Sequence, residues 1–230
     1  MKEFKKAIKY ATIDIGSNAI RLLISNIYIH NSEQFSTKNS LVRVPIRLGQ
    51  DAFKSGEISK KNISRLLDSM KSFKLLMKVH DVDKYLAFAT SALRSSSNRD
   101  EIISQIKQKA NIKIEVISGK KEARLITNNP AFSNINKSFC FIDVGGGSTE
   151  LTLIKNNEVL ISKSFKIGGV RLINNLVNKS TWNKFGNWIE NNLSSKRNIE
   201  VVALGGNINK IFKLSGTKLG KPLSLELIDS

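Results

Sequence analysis

Two acidic residues, three glycines and two hydroxyl residues lie together at positions 143–150, with the sequence DVGGGSTE. Asp143 follows an apolar, β-favouring run at 139–142 and Glu150 leads into another at 151–154, which predicts a hairpin with the polar segment at its turn. Carboxylates on both sides of a phosphate-holding turn are what a hydrated divalent cation needs to bridge protein and phosphate oxygens. We therefore predict Asp143 and Glu150 as metal-binding residues.

The turn between these two acids offers hydrogen-bond donors for phosphate oxygens. Glycines have no Cβ, so the backbone can adopt unusual conformations and present its N–H groups to an anion, and the two hydroxyl groups add further donors. The predicted phosphate-binding residues of this turn are Gly145, Gly146, Gly147, Ser148 and Thr149. A plain hairpin turn is the alternative for three consecutive glycines, and the flanking acids and an earlier copy of the motif argue against it.

The earlier copy of the motif lies at positions 10–24. An apolar strand ends at Asp14, a short polar turn follows, and a second apolar strand begins at Ala19. The predicted phosphate-binding residues of this copy are Asp14, Gly16, Ser17 and Asn18. The repeat predicts two similar α/β domains, at 1–130 and 131–230, each beginning with a hairpin whose turn faces a shared cleft.

Segments with helical and strand periodicity alternate around both hairpins, as in an α/β protein. In the first half we predict a loop at 31–39, a strand at 41–49 that Pro45 confines to an edge, a helix capped by Ser59, strands at 85–90 and 112–117, and helices at 99–110 and from 120 to about 128. In the second half we predict strands at 158–166 and 199–204, a helix that opens at 167–172 with Gly168 and Gly169 allowing its approach to a ligand, and a helix at 208–214. A further helix carries Trp182, Phe185, Trp188 and Ile189 at helical spacing, which favours core residues over a binding platform.

Three positions at the ends of these elements are further candidates. Arg94 follows a predicted parallel strand, where ligands bind in open α/β sheets, and its guanidinium can fork two phosphate oxygens; the alternative is a surface arginine. Glu122 lies in the first turn of a predicted helix, where favourable interaction with the helix dipole is a sufficient explanation. The pair Gly205 and Gly206 precedes another helix, as an anion-binding turn or a simple tight turn.

The composition bounds the class of protein. The chain has 230 residues, 40% of them hydrophobic, and no apolar run of the roughly 18 residues that a membrane span requires. Its single cysteine, Cys140, leaves no internal disulfide, so we expect a cytoplasmic protein. The net charge of +18 indicates a polyanionic partner or, since the lysines are spread along the chain, compositional drift.

Taken in order, these segments resemble the exopolyphosphatase/guanosine pentaphosphate phosphatase family over nearly the whole chain. The resemblance is carried by the segments 14–18 (DIGSN), 89–94 (ATSALR), 118–124 (SGKKEAR), 143–150 (DVGGGSTE), 166–172 (KIGGVRL) and 205–207 (GGN). It implies two actin-like, sugar-kinase-like (ribonuclease H-like) domains with an interdomain cleft. It also implies removal of the terminal phosphate of polyphosphate or of the 5′-γ phosphate of guanosine pentaphosphate.

The same resemblance implies roles for single residues. Glu122 would activate the attacking water, and Arg94 would bind the terminal phosphate. Asp143 and Glu150 would hold Mg²⁺ or Mn²⁺, and Asp14 would face the same cleft from the other domain. Polyphosphate or guanosine pentaphosphate would be the substrate, and a homodimer is compatible with the family. From the sequence itself we expect no membrane partner, and a nucleic acid ranks last among the partners considered.

Three departures from the family pattern stand out. Lys121 replaces the first of two consecutive glutamates, and Asn207 stands where many relatives have threonine. The sequence stops at Ser230, whereas family members continue with further elements of the second domain and the longer ones with a helical domain. We therefore expect a short form whose second domain is incomplete.

Three alternatives to a hydrolase remain open. A non-catalytic protein that binds polyphosphate or a guanosine alarmone would retain the cleft without turnover. A kinase or ATPase of the same fold would more typically offer an aspartate to an alcohol, and the chain has no sugar-binding signature. A nucleic-acid-binding protein would suit the charge, but no motif of a known module is present.

Overall fold

The computed structural model describes residues 8–30, 33–127, 138–155, 158–193 and 199–229. It divides into two compact units, Met1–Ser118 and Gly119–Ser230. The helix over Gly119–Thr127 contacts strands of the second unit, whereas the sequence places the domain boundary after residue 130. That boundary stays a prediction, and each unit is described by itself.

The first unit contains a five-stranded mixed sheet. Its strands are β1 (Ile8–Ile15), β2 (Ile20–His30), β3 (Glu33–Val44), β4 (Lys84–Ala89) and β5 (Glu115–Val116), in the order β3-β2-β1-β4-β5. The strand β2 runs antiparallel to β1 and β3, and β4 runs parallel to β1 and β5. The β1–β2 turn therefore lies at the same end of the sheet as the carboxyl end of β4, where ligands bind in open α/β sheets.

The described residues of the first unit form the helices α1 (Leu48–Lys54), α2 (Lys60–Val79), α3 (Ser91–Ser95) and α4 (Arg99–Ala110). Alternate residues of β1 (Ala11, Ile13 and Ile15) are buried in one core with apolar residues of α2 and α4. Ser59 caps α2 as predicted, because its hydroxyl accepts a hydrogen bond from the Asn62 N–H. Such a cap contributes about 1 kcal/mol.

The loop predicted at 31–39 is wrong, because β3 begins at Glu33 and continues through that region. The strand pairs with the long β2 in register, for example Tyr28 with Phe35 and Ile27 with Ser36. Pairing with β2 satisfies the backbone N–H and carbonyl groups of this segment, although its side chains at 34–39 are exposed and, apart from Phe35, polar. The strand ends at Val44 because Pro45 has no N–H to give to the ladder.

The second unit repeats the strand plan. It contains α5 (Gly119–Thr127), β6 (Ser138–Val144), β7 (Thr149–Lys155), β8 (Glu158–Phe165), α6 (Gly169–Ile173), α7 (Lys179–Leu193), β9 (Ile199–Leu204), α8 (Gly206–Leu214) and α9 (Leu225–Asp229). Its four described strands lie in the order β8-β7-β6-β9, with β7 antiparallel to both neighbours and β9 parallel to β6. This matches β3-β2-β1-β4, so the predicted internal repeat and the α/β class are confirmed.

The helix α7 covers one face of the second sheet. The Phe165 ring meets the rings of Phe185 and Trp188 edge-on, at centroid distances of 5.1 and 6.0 Å. Phe185 and Trp188 therefore serve the core, as predicted. The prediction is wrong for Trp182, which packs on Phe185 but is 44% exposed. Cys140 is buried in the same core, and burial raises the pKa of its thiol. In the part of the chain that the structure describes, no helix combines the length and apolar character needed to cross a membrane.

Candidate active site

Two carboxylates face each other at the end of the second sheet. Asp143 on β6 lies directly opposite Glu150 on β7, and Glu150 lies opposite Ser164 on β8. The Ser164 hydroxyl donates a 2.7 Å hydrogen bond to Glu150 Oε1, and Glu150 is only 4% exposed. Like charges directly opposite on neighbouring strands repel each other. A cation between the two side chains would offset that repulsion.

The glycine turn between the two carboxylates is fixed from one side by α6. The Gly145 N–H bonds the Ser148 carbonyl across the turn at 2.9 Å. The turn carbonyls of Gly145 and Gly146 accept hydrogen bonds from the amides of Gly169 and Val170, at 3.0 and 2.8 Å. With its carbonyls held on the side of α6, the turn can offer the N–H groups of Gly146 and Gly147 to an anion.

Arg171 completes this attachment. Its Nε donates a 2.8 Å hydrogen bond to the Gly147 carbonyl, so three successive carbonyls of the turn are bound to the segment 169–171. The side chain is half-buried, and burial lowers the pKa of its guanidinium from the ordinary value. Thr149 reinforces the same junction, because its hydroxyl donates to the Ile167 carbonyl at 2.6 Å. The sequence predicts Thr149 as a phosphate donor, but its hydroxyl is used to hold the turn.

Gly168 permits the contact between α6 and the turn. A Cβ at this position would lie 2.6 Å from backbone atoms of Gly146 and Gly147, closer than carbon and oxygen atoms can approach. Because the neighbouring atoms are backbone, no side-chain rotation can relieve the clash. The sequence predicts that Gly168 and Gly169 allow a close approach to a ligand, whereas in the structure Gly168 allows a close approach to the phosphate-binding turn itself.

A substitution at Gly168 tests this packing. We expect Gly168→Ala to lower the free energy of unfolding by about 1–3 kcal/mol, the usual cost of overpacking, because the turn must move. Gly186 is a matched control, since a Cβ there meets nothing within 4 Å and the residue lies inside α7. Gly186→Ala should raise stability by about 0.5–1 kcal/mol. Urea denaturation of both variants measures the contrast, and equal effects would contradict it.

A second glycine segment approaches Asp143 from the end of β9. Gly205 has a φ of 102°, in the left-handed region that favours glycine, and a Cβ there would lie 3.1 Å from Asp143 Oδ1. Two residues further on, the Asn207 side-chain amide lies against Gly169, with Nδ2 2.7 Å from the position of a Cβ added to Gly169. The turn predicted from the pair Gly205 and Gly206 therefore belongs to the same site as Asp143.

The first turn of α5, which carries Glu122, lies beside Glu150. Gly119, the first residue of α5, packs against Ser164, and a Cβ on it would lie 3.5 Å from Glu150 Oε1. Glu122 follows three residues later, and residues three apart share a face of a helix. The Oε2 atom of Glu122 is shielded from solvent. The second unit thus places the start of α5 next to one of the two carboxylates.

The first unit has a corresponding turn with a different charge. Asp14 Oδ2 accepts a 2.9 Å hydrogen bond from Arg21 Nη1, and Arg21 occupies the position opposite Asp14 that Glu150 occupies opposite Asp143. Burial raises the pKa of the Asp14 carboxyl above its ordinary value, and the Arg21 charge acts in the opposite direction. The first turn is therefore flanked by an aspartate and an arginine that form an ion pair, whereas the second turn is flanked by two acidic residues.

The remaining predicted residues of the first unit lie around that turn. The Gly16 N–H bonds the Ala19 carbonyl, and the carbonyls of Ser17 and Asn18 accept from the amides of Gly49 and Arg47. The Ser17 hydroxyl is buried, 2.8 Å from the Ser91 hydroxyl. Asn18 is exposed. Ser17 can therefore offer its backbone to an anion, while its hydroxyl serves the fold.

Arg94 lies in α3, directly after β4, as the sequence predicts. Its Nη1 donates a 2.6 Å hydrogen bond to the carbonyl of Ile117, near the end of the first unit. Arg94 belongs to the first unit and Glu122 to the second.

Sequence reasoning missed three side chains that the structure puts beside the predicted ones. Arg21 and Ser164 lie inside strands, opposite Asp14 and Glu150, and Arg171 lies in α6. A strand residue next to a turn acid has no local signature. The internal repeat offers one signal, because Arg21 and Glu150 occupy equivalent positions after the two Asp-x-Gly turns.

The donor set suits a hard divalent cation. Mg²⁺ is usually bound through one or two carboxylates, with water and substrate phosphates completing its shell, and Asp143 and Glu150 offer carboxylate oxygens opposite each other. A cage built from protein alone would need more ligands. Among the described residues no group of three or more His, Cys, Asp or Glu is placed to hold a metal.

Comparison with known proteins gives consistent matches. The chain matches the model of the Ppx/GppA phosphatase family over residues 36–194. It is 31% identical over 225 residues to a bifunctional 3-dehydroquinate synthase/phosphatase of Fusobacterium nucleatum, which covers 89% of this chain and 34% of that protein. It is 29% identical over 167 residues to a guanosine-5′-triphosphate,3′-diphosphate pyrophosphatase of Aeromonas hydrophila, with 72% of this chain and 33% of that protein covered.

Solved structures extend the match to the fold. An exopolyphosphatase from Cytophaga hutchinsonii superimposes with a TM-score of 0.74 at 27% identity, covering 95% of this chain and 73% of that one. The predicted α/β fold is therefore confirmed over nearly the whole chain, as the fold of solved members of the same family. The chain spans about a third of the length of the two relatives compared by sequence.

Proposed function

Because the chain belongs to the Ppx/GppA phosphatase family, we propose that it hydrolyses a terminal phosphoanhydride bond. The substrate would be inorganic polyphosphate or guanosine pentaphosphate, which end in the same kind of phosphate group. The observation that carries the proposal is the packing of Gly119, at the start of α5, against Ser164 and Glu150, since it supports a role for Glu122 beside the carboxylate pair. Neither relative's full activity is implied by a chain that covers a third of its length.

Phosphate binding would fall to the two glycine-containing turns. In the second unit the amides of Gly146 and Gly147 would donate to phosphate oxygens, and α6 would keep that turn from moving. In the first unit the backbone amides of Ser17 and Asn18 would do the same, with Asp14 and Arg94 nearby in that unit. Positioning of this kind is a large part of phosphoryl-transfer catalysis, because the reaction requires little covalent participation by the protein itself.

Asp143 and Glu150 would hold a magnesium or manganese ion, which supplies neutralisation of the charge that develops on the transferred phosphate. Ser164 would orient Glu150 by its 2.7 Å hydrogen bond to Oε1, leaving the other carboxylate oxygen for the ion. Gly205, close to Asp143 Oδ1, would restrict the position of the second carboxylate.

Glu122 would act as the general base. Its carboxylate would accept a proton from a water molecule as the water oxygen bonds to the terminal phosphorus, and the bond from that phosphorus to the bridging oxygen would break. Orthophosphate would leave, and the shortened chain or nucleotide would retain the bridging oxygen. Arg94 would neutralise charge on the departing phosphate by a forked contact.

Phosphate release from two substrates tests the proposal. The purified chain is incubated with polyphosphate or with guanosine pentaphosphate and Mg²⁺, and orthophosphate is measured over time with and without EDTA. We expect release from at least one substrate and its loss in EDTA. A folded chain that binds either ligand but releases no phosphate would overturn the proposal in favour of a binding protein.

A further inference from the structure

The first unit carries a row of charged side chains across three strands. Asp14 on β1 lies opposite Arg21 on β2, and Arg21 lies opposite Arg43 on β3. Directly opposed residues of antiparallel strands project from the same face of a sheet. The equivalent row of the second unit is Asp143, Glu150 and Ser164. The two units therefore share one strand plan but carry opposite net charge at this row.

The opposition of Arg21 and Arg43 has an energetic consequence. Like charges directly opposite across two strands destabilise a sheet. Arg21 is neutralised by Asp14 at 2.9 Å. Among the described residues, the exposed Arg43 side chain forms no ion pair and no hydrogen bond, so the row has an excess positive charge at its β3 end. An anion bound there would relieve the repulsion.

A third arginine, Arg47, lies in the short connection between β3 and α1. Arg47 has φ 64° and ψ 42°, a left-handed conformation that is uncommon for a residue with a Cβ. Its amide donates a 2.9 Å hydrogen bond to the Asn18 carbonyl, so the strained residue is attached directly to the candidate phosphate-binding turn. Its side chain is exposed. Strained backbone of this kind concentrates at functional sites.

We propose that Arg43 and Arg47 form a second phosphate site, the arginine site, which binds inner phosphates of an extended phosphate chain. The inference rests on the proposed function, because it takes the ligand to be a chain whose terminal phosphate lies elsewhere. Neighbouring strands are about 4.8 Å apart, so Arg43 reaches a phosphate further from Asp14 than Arg21 does. Guanidinium groups suit this role because they fork two phosphate oxygens and remain charged.

The ligand chemistry is a run of at least three linked phosphates. Inorganic polyphosphate supplies a long run, and the 5′ end of guanosine pentaphosphate supplies a short one followed by a nucleoside. A single orthophosphate could occupy only one position of the row. The arginine site is therefore expected to affect binding of chains and to leave orthophosphate binding unaltered.

Binding without turnover tests the arginine site. Affinity of the full chain for long-chain polyphosphate is measured in EDTA by competition with a fluorescent polyphosphate, for the wild type, Arg43→Gln and Lys38→Gln. Lys38 is an exposed residue of the same strand, so both variants lose one positive charge from β3. We expect Arg43→Gln to weaken binding about tenfold or more, the range for losing a charge-assisted hydrogen bond, and Lys38→Gln to weaken it far less.

The outcomes separate this inference from the proposed hydrolysis. Equal losses in the two variants, or no loss in Arg43→Gln, would overturn the arginine site even if the chain hydrolyses polyphosphate. Conversely, a selective loss supports the site even in a chain that shows no turnover. If Arg43→Gln proves unstable, Arg43→Lys replaces it in the test. Lysine keeps the positive charge but cannot fork two phosphate oxygens, so this variant should bind polyphosphate more weakly than the wild type but more tightly than Arg43→Gln. Repeating the titration with guanosine pentaphosphate tells which phosphate run occupies the site: a loss for polyphosphate alone assigns the long inorganic chain.

Discussion

Replacing Glu122 by glutamine will lower the rate of phosphate release by about 10²- to 10⁴-fold, the range for removing a positioned general base. The amide is nearly isosteric with the carboxylate but cannot accept the water proton. Because the substitution changes neither the glycine turn nor the Asp143–Glu150 pair, binding of the phosphate ligand should change little. Phosphate release at saturating substrate, with binding measured separately, gives the two readouts.

Glu101→Gln is a suitable control for this variant. Glu101 also lies in the first turn of a helix, α4, and is exposed on the surface of the first unit. If Glu122 serves only to complement a helix dipole, the two variants should behave alike, with small changes in stability and none in rate. Similar rates for Glu122→Gln and the wild type would exclude Glu122 as the base.

The second large effect is expected at the carboxylate pair. Asp143→Asn should raise the magnesium concentration needed for half-maximal phosphate release by at least about 10- to 100-fold, since losses of that size follow even from changes to residues that support a metal ligand. The asparagine keeps one oxygen in place but removes half of the charge of the pair. Asp68→Asn, at an exposed position of α2, controls for the change in net charge.

A magnesium titration of both variants separates metal binding from chemistry. A variant that reaches the wild-type rate at high magnesium has lost affinity for the ion, as expected if Asp143 is a ligand. A lowered rate with an unchanged magnesium midpoint would place Asp143 in a role other than metal binding. An unchanged rate and midpoint would remove it from the site.

Local sequence signals predicted the parts of the site that are local. The Asp-x-Gly turns at 14–18 and 143–150 combine a strand end, a glycine turn and a strand start within a few residues, and both form hairpins in the structure. The same holds for the helix α4, whose bounds at Arg99–Ala110 agree with the predicted ones. The repeat of strand order follows, because an equivalent hairpin supplies the first two strands of each sheet.

Features that depend on pairing between distant segments were missed. The start of β3 at Glu33 was predicted as loop, because polarity suggests a loop where only the partner strand makes a ladder. The strand predicted at 112–117 is longer than the observed strand β5, which contains only Glu115 and Val116. These are the residues of the segment that pair with β4. Sequence periodicity reports burial on one strand and says nothing about its neighbour.

Cross-strand register also explains why the charge difference between the two units was not predicted. Arg21 and Arg43 are separated along the chain, and only the β2–β3 register puts them opposite each other. Likewise, the contact between Gly168 and the glycine turn depends on the chain returning through β8 to the β6–β7 hairpin. The glycine type alone indicated a close approach without naming what approaches.

The fate of the oxygen of water tests the central proposal most directly. Polyphosphate is hydrolysed by the purified chain in ¹⁸O-labelled water, and the released orthophosphate is examined by mass spectrometry after few turnovers. If water activated beside Glu122 attacks the terminal phosphorus, each released orthophosphate carries one ¹⁸O atom and the shortened chain carries none. Label in the shortened chain, or transfer of the phosphate to an added acceptor without label, would contradict hydrolysis at the terminal phosphate.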